Sequence, residues 1–151
     1  MLVILIVIGI LVLDMVTKIL LDGKVIPLID GVVSFVSEYN TGGAWGIFGE
    51  YTWLLALFSI IFVIGFIFVD RKMKISHPLY KISFALIIAG TIGNMIDRLA
   101  LGYVRDFIYL DFLKTFPIFN VADMSLVIGM CLLAVYILFI YKSDNKGVKN
   151  E

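Results

Sequence analysis

The chain has 151 residues, of which 62% are hydrophobic and 16% charged, and its 12 basic and 12 acidic side chains cancel; mean hydropathy is +1.07. A soluble domain of this size carries about a quarter charged residues, so that class is excluded, and a balanced charge offers nothing to nucleic acid. The chain reads as a polytopic membrane protein forming one compact unit over residues 1–151.

A bilayer core takes roughly 20 mostly apolar residues per helix. Four runs fit: Leu2–Leu21, Tyr51–Val69, Leu79–Leu101 and Val121–Tyr141. The first resembles a secretory leader in position only. It lacks a basic start and a small-residue cleavage site, and it carries Asp14 and Lys18, so it is expected to be retained. Met1–Leu13 is too short to cross alone. Asp14 and Lys18 therefore lie within the outer part of the helix, four residues apart on one face.

The next segment, 22–50, is more than a linker. Ser34, Val36 and Glu38 alternate with Phe35, Ser37 and Tyr39 between Asp30-Gly31 and Thr41-Gly42-Gly43, which predicts one or two short strands ending in a glycine turn. Phe35, Trp45, Phe48, Tyr51 and Trp53 suit the headgroup level, so a small sheet lying on the membrane surface is expected. Asn40 either holds the turn or presents its amide to an extended peptide.

Asp70-Arg71-Lys72-Met73-Lys74 joins the second and third spans, and Lys142, Lys146 and Lys149 follow the fourth. Short basic loops stay cytoplasmic, which puts both termini in the cytoplasm and segments 22–50 and 102–120 outside. His77, beside Pro78, falls in the cytoplasmic loop as a residue near a helix start.

In the third span Gly90, Asn94 and Asp97 share a helical face, with Arg98 one turn from Asn94. Gly90 and Gly93 let a neighbouring helix come close. Asp97 with Arg98 reads equally as a polar end cap or as part of a site, whereas Asn94 lies deeper. Beyond it, Gly102–Ile108 forms a turn and a semi-apolar stretch, and Pro117 closes the loop. Asn120 and Asp123 then suit N-cap and N3 of the fourth span. The cap accounts for Asn120 well. It accounts only partly for Asp123, a carboxylate so close to hydrocarbon. The single cysteine, Cys131, is midway along this span and reads as a buried apolar thiol.

The alternation of spans sends Asp14, Asn94, Asp97, Asp106, Asn120 and Asp123 to one outer face. Ionisable groups at membrane depth are costly and by default mark function. A serine nucleophile lacks a base, because His77 is on the opposite side; there is no His-Glu-x-x-His element, and Cys131 has no partner. Two carboxylates remain. Held close they share a proton, so that one activates water while the other acts as acid, which is aspartic peptidase chemistry and needs no metal or cofactor. Residue spacing leaves open whether Asp97 or Asp106 partners Asp123, with the rigid helix favouring Asp97.

At this point the residues resemble a family. Asp14-Met-Val-Thr-Lys18, Asn40-Thr-Gly-Gly-Ala-Trp-Gly46, Gly93-Asn-Met-Ile-Asp-Arg98, Gly102-Tyr-Val-Arg-Asp106-Phe and Phe119-Asn-Val-Ala-Asp123 are similar, in this order, to the motifs of the bacterial lipoprotein signal peptidases (signal peptidase II). The resemblance implies a four-helix, all-α membrane fold with a small extracytoplasmic β element, in the bacterial cytoplasmic membrane. It implies an aspartic endopeptidase, acting as a monomer, that removes signal peptides from prolipoproteins before a diacylglyceryl-modified cysteine, with membrane lipid in contact with the site. It implies Asp106 and Asp123 as the catalytic pair, Asn40, Asn94, Arg98 and Asn120 lining the substrate site, and Asp14 and Lys18 supporting it. Asp97 then becomes a structural or positioning carboxylate paired with Arg98 or Lys18. Arg105 departs from the apolar residue frequent before the loop aspartate, which could alter contact with lipid phosphates, and Gly43 stands where alanine is common. Two rivals have other sequence requirements. A small proton or ion transporter would show internal repeats or broken mid-span helices, and a scaffold would use the polar residues only to join helices.

Overall fold

The structure, a computed structural model, describes residues 1–43, 49 and 51–141. Trp45, Phe48, the end of the Asn40 motif and the basic tail from Lys142 lie outside the described residues. Four helices are long and apolar enough to cross a membrane: α1 (Leu2–Leu21), α2 (Thr52–Met73), α3 (Pro78–Leu101) and α4 (Val121–Val135), the last continued by a π-helical turn, Tyr136–Ile140. α2 runs on through Asp70-Arg71-Lys72 and stops where Lys74 turns left-handed (φ 52°), its N–H donating to the Asp70 carbonyl. Pro78 opens α3 at a position needing no N–H, and the His77 ring caps it by accepting from Leu79 N–H at 3.2 Å. Gly102, at φ 81°, closes it.

Burial is concentrated in α3. Twelve of its side chains are buried, against Asp14 and Lys18 on α1, Ala56 on α2, and Ala122, Ser125 and Gly129 on α4. α3 is thus the central post, and α1 presents polar groups inward and hydrocarbon outward. Lipid is as apolar as leucine, so helices associate here through close packing and polar contacts rather than hydrophobic drive. The glycines show it. A Cβ on Gly90 would collide with the Ala122 carbonyl, one on Gly93 would meet Asp14 Oδ2 at 2.8 Å and Ala122 Cβ at 3.1 Å, and one on Gly129 would lie 2.8 Å from Ile87. Cys131 is exposed on the outer surface of α4, not buried as its apolar surroundings in sequence suggested. A free thiol behaves as a small apolar group and costs little against lipid.

The segments between α1 and α2 and between α3 and α4 build one antiparallel sheet in the order β1 (Ile26–Ile29), β2 (Val33–Asn40), β3 (Val104–Leu110). One or two strands were expected in 22–50 from the alternation at 34–39; β2 carries that alternation, and β1 is the second. The third was not, because 104–110 lacks a clean period of two: Val104, Asp106 and the adjacent Phe107 are all buried. Glu38 pairs with Asp106, Tyr39 with Arg105 and Asn40 with Val104, beyond a shift in register after Phe35. Ile108 N–H donates to the Phe119 carbonyl at 2.8 Å, and Phe119 N–H returns to Ile108 at 3.2 Å. This bridge ties β3 to the residue preceding the α4 cap.

The Gly90 contact gives a direct test of α3–α4 packing. Gly90→Val is expected to destabilise the detergent-solubilised protein by about 1–3 kcal/mol, the usual cost of overpacking, whereas Gly65→Val, where a Cβ meets nothing within 4 Å, should be near neutral. Thermal unfolding of the two variants side by side is the measurement; equal melting would contradict the close approach.

Candidate active site

The site is assembled around the N-terminus of α4. Asn120 and Asp123 form the capping box their spacing predicted. Asn120 Oδ1 accepts from Asp123 N–H at 2.9 Å, and Asp123 Oδ2 accepts from Asn120 N–H at 3.1 Å. Each side chain has more to do than cap. Asn120 Nδ2 donates to Asp106 Oδ1 at 2.6 Å and to Asn94 Oδ1 at 3.0 Å, and Asn94 Nδ2 donates to Asp123 Oδ1 at 2.7 Å. Asp106 Oδ2 accepts from Asn40 Nδ2 at 3.0 Å, while the other end of that amide holds the turn by accepting from Gly42 N–H at 2.9 Å. The turn reading of Asn40 thus holds, and its amide nitrogen is turned to Asp106. All four carboxylate oxygens of Asp106 and Asp123 accept a hydrogen bond from the protein, which fixes both groups in place.

Behind this wall is a buried cationic centre. Lys18 Nζ lies 2.8 Å from Asp14 Oδ2 and 3.5 Å from Asp97 Oδ2, and donates to Asn94 Oδ1 at 3.0 Å. Asp14 Oδ1 accepts from Ala122 N–H at 2.9 Å, so a carboxylate from α1 satisfies a helix-end amide of α4 and complements its dipole. Every charge here is partnered, as burial requires.

Asp97 is not capped by Arg98. Its Oδ1 accepts from Arg105 Nη2 at 2.7 Å, and its Oδ2 from Arg105 Nε at 3.2 Å and Arg105 N–H at 3.1 Å. That fork corrects the expected Asp97–Arg98 cap, and the sequence carried no sign of it because the partners belong to different elements. The Asp97 hydrogen bonds hold the Arg105 guanidinium firmly charged, its pKa above the ordinary arginine value. Asp97 does keep its expected Lys18 contact. Arg98 instead donates from Nη2 to the Gly42 carbonyl at 2.9 Å, and its buried Nε has no hydrogen-bond partner among the described residues.

A cavity of about 570 Å³ opens from this cluster. Asn40, Asn94, Arg98, Asp106 and Asp123 line its polar end, and aliphatic side chains continue it along α4 as far as Met130. Asn120 is fully buried; it stands behind the two carboxylates and joins them rather than facing the cavity. Asp14, Lys18 and Asp97 are likewise behind the wall. Burial raises the Asp106 carboxyl first and the neighbouring Asp123 carboxylate second, against the two amide donors, to a pKa of about 7. At neutral pH such a group holds its proton about half the time, which suits it to give or take one.

A family model described as signal peptidase (SPase) II matches residues 6–139. Lipoprotein signal peptidases of Geobacillus thermodenitrificans and Bacillus velezensis are 39% identical over 127 residues and 38% identical over 130. These alignments cover 83% and 85% of this chain, and 78% and 82% of the relatives. The enzyme of the same name from Lactobacillus johnsonii is 40% identical over 117 residues, covering 78% of this chain and 75% of its own. Two solved structures, both described as a bacterial membrane enzyme determined by the in meso method, superpose with TM-scores of 0.84 and 0.82 at 32% identity. They cover 90% and 91% of this chain, and 87% and 93% of theirs. None of these relatives is a transporter, and that reading is left without support. With its motifs, its four helices and its paired carboxylates, the chain belongs to the signal peptidase II family of membrane peptidases.

Proposed function

We propose that Asp106 and Asp123 are the catalytic pair of an aspartic endopeptidase that cleaves prolipoproteins before a diacylglyceryl-modified cysteine, with the whole chain acting as one monomeric unit. The observation that carries this reading is the meeting of two amide-held carboxylates, one from β3 and one from α4, at the polar end of a cavity whose other walls are hydrocarbon. That shape suits a substrate whose signal helix and acyl chains stay in the bilayer. The basic 70–74 loop supports cytoplasmic termini and an extracytoplasmic site.

In the reaction, a water placed between the carboxylates gives a proton to the ionised member and attacks the scissile carbonyl carbon. The protonated member donates to the carbonyl oxygen. Collapse of the tetrahedral gem-diol breaks the C–N bond: the cysteine nitrogen takes up the proton now on one carboxyl, a gem-diol hydroxyl returns its proton to the other, and the signal peptide leaves with a new carboxyl group and a singly protonated pair behind it. Asn40, Asn94 and Arg98 line the path of the extended peptide, and Arg98 Nε is a buried donor suited to a substrate carbonyl. Asn120 sets the spacing of the two acids, and Asp14 and Lys18 hold the helix end that carries Asp123. Asp97 orients β3 through Arg105.

Asp106→Asn and Asp123→Asn are each expected to lower single-turnover cleavage of a lipidated signal peptide by at least about 10³-fold while the protein still folds, because a proton-sharing pair has no spare member. Asp97→Asn is the control. It breaks the Arg105 fork, and its loss of activity should follow its loss of folded yield. Near-normal turnover in either first variant would refute the assignment.

The pH profile provides an independent check. Activity needs one proton on the pair. As pH rises through about 7, Asp106 loses that proton and the general acid disappears, so the alkaline limb should fall there, while the acid limb marks protonation of both groups. Both limbs belong to the pair. Asn40→Ser removes a donor that favours ionised Asp106, so the alkaline limb should move to higher pH. A shift downward, or a profile flat across pH 6–8, would contradict the electrostatics of the site.

A further inference from the structure

A second cleft, of about 510 Å³, abuts the first. The two share Asn40, Asp106 and the turn Phe116-Pro117-Ile118, and otherwise differ in kind. The first runs down α4. The second is lined by Glu38, Tyr39, Tyr109, Lys114 and Thr115, and among the described residues none from a spanning helix contributes to it. Glu38 pairs with Asp106 across β2 and β3, and Glu38 and Lys114 are both exposed. A chain passing from the hydrocarbon-lined cavity into this cleft must cross the wall carrying Asp106. One side of the crossing is suited to an apolar helix end. The other, with a carboxylate, an ammonium and two phenol rings, is suited to a hydrated extended peptide.

We propose that the second cleft binds the polypeptide that follows the scissile bond, so that Glu38 and Lys114 determine which sequences after the cleaved position are processed fastest. This rests on the peptidase reading and adds to it the segment of substrate on the water side. Before cleavage that segment is still covalently joined to the signal peptide. It must leave the membrane level at the site itself, and the cleft touches Asp106 from the aqueous side. After hydrolysis its new amino terminus is released toward Glu38, whose negative charge favours the ammonium it becomes.

The test uses the full-length protein in detergent with lipidated signal-peptide substrates that differ only in carrying acidic or basic residues just after the cysteine. The quantity read is the ratio of kcat/KM for acidic to basic substrates. Lys114→Glu should lower the ratio by about 2- to 5-fold, the range of exposed charge pairs, with most of the change in KM, and added salt should shrink it. Glu38→Lys should raise it, which keeps the test decisive if one variant folds poorly. Lys24→Glu alters an exposed lysine of the outer segment outside the cleft and should leave the ratio alone. Ratios unchanged by Lys114→Glu and Glu38→Lys, or changed equally by Lys24→Glu, would overturn the proposal while leaving the peptidase reading intact. A wild-type protein that cleaves none of the substrates would instead overturn the peptidase reading itself.

Discussion

The contact on which the rest depends is the buried Lys18 ammonium and the polar groups it gathers. One cation on α1 is surrounded by Asp14, Asp97 and Asn94, and Asp14 reaches on to the Ala122 amide at the start of α4. In a soluble protein these helices could associate by burying leucines. In lipid that gain vanishes, and polar contacts and close glycine packing must specify the arrangement. Removing one partner of a buried ion pair commonly costs about 3–5 kcal/mol, so the cluster joins α1, α3 and α4 in a single register. Gly93 admits it: a side chain there would occupy the position of Asp14 Oδ2.

The same cluster has an electrical consequence. Lys18 acts on the carboxylate pair through Asn94, whose oxygen accepts from the ammonium while its nitrogen donates to Asp123. Asn120 repeats the arrangement one step nearer Asp106. Two asparagines are thereby fixed in orientation at every polar atom. An amide is suited to this task because it donates and accepts without titrating; a carboxylate in either place would add a third acid to the pair and change its proton count.

How much of this could be read in the chain depends on whether a feature is local. The four spans follow from runs of apolar residues, and the α4 capping box follows from a three-residue spacing. The Gly90 and Gly93 contacts follow from small residues on the face that also carries Asn94. β3 was missed because its strand is stabilised by partners far off in sequence, β2 and Phe119, and buries consecutive residues instead of alternate ones. The Arg105–Asp97 fork was missed for the same reason: eight residues and a helix end separate the two, and only the sheet brings them together. Asp97 and Asp106 were indistinguishable by spacing. What separates them in the structure is that the fork and Lys18 occupy Asp97 behind the wall, while Asp106 reaches the cavity.

On the proposed reading, placing the catalytic pair at a boundary resolves a conflict between two requirements of the chemistry. Amide hydrolysis consumes water, yet the electrostatic effect of two fixed carboxylates is strongest where bulk water is excluded. A site at mid-membrane would lack water, and a site on an open surface would lose the elevated Asp106 pKa, whose largest cause is burial. Here the helix-borne acid stands at the first turn of a span and the strand-borne acid comes from a sheet outside it. The pair therefore forms only where the two layers meet. The fold is arranged to make that meeting rigid: Phe119 bridges β3 to the α4 cap, and Asn120, the next residue, holds both acids at once.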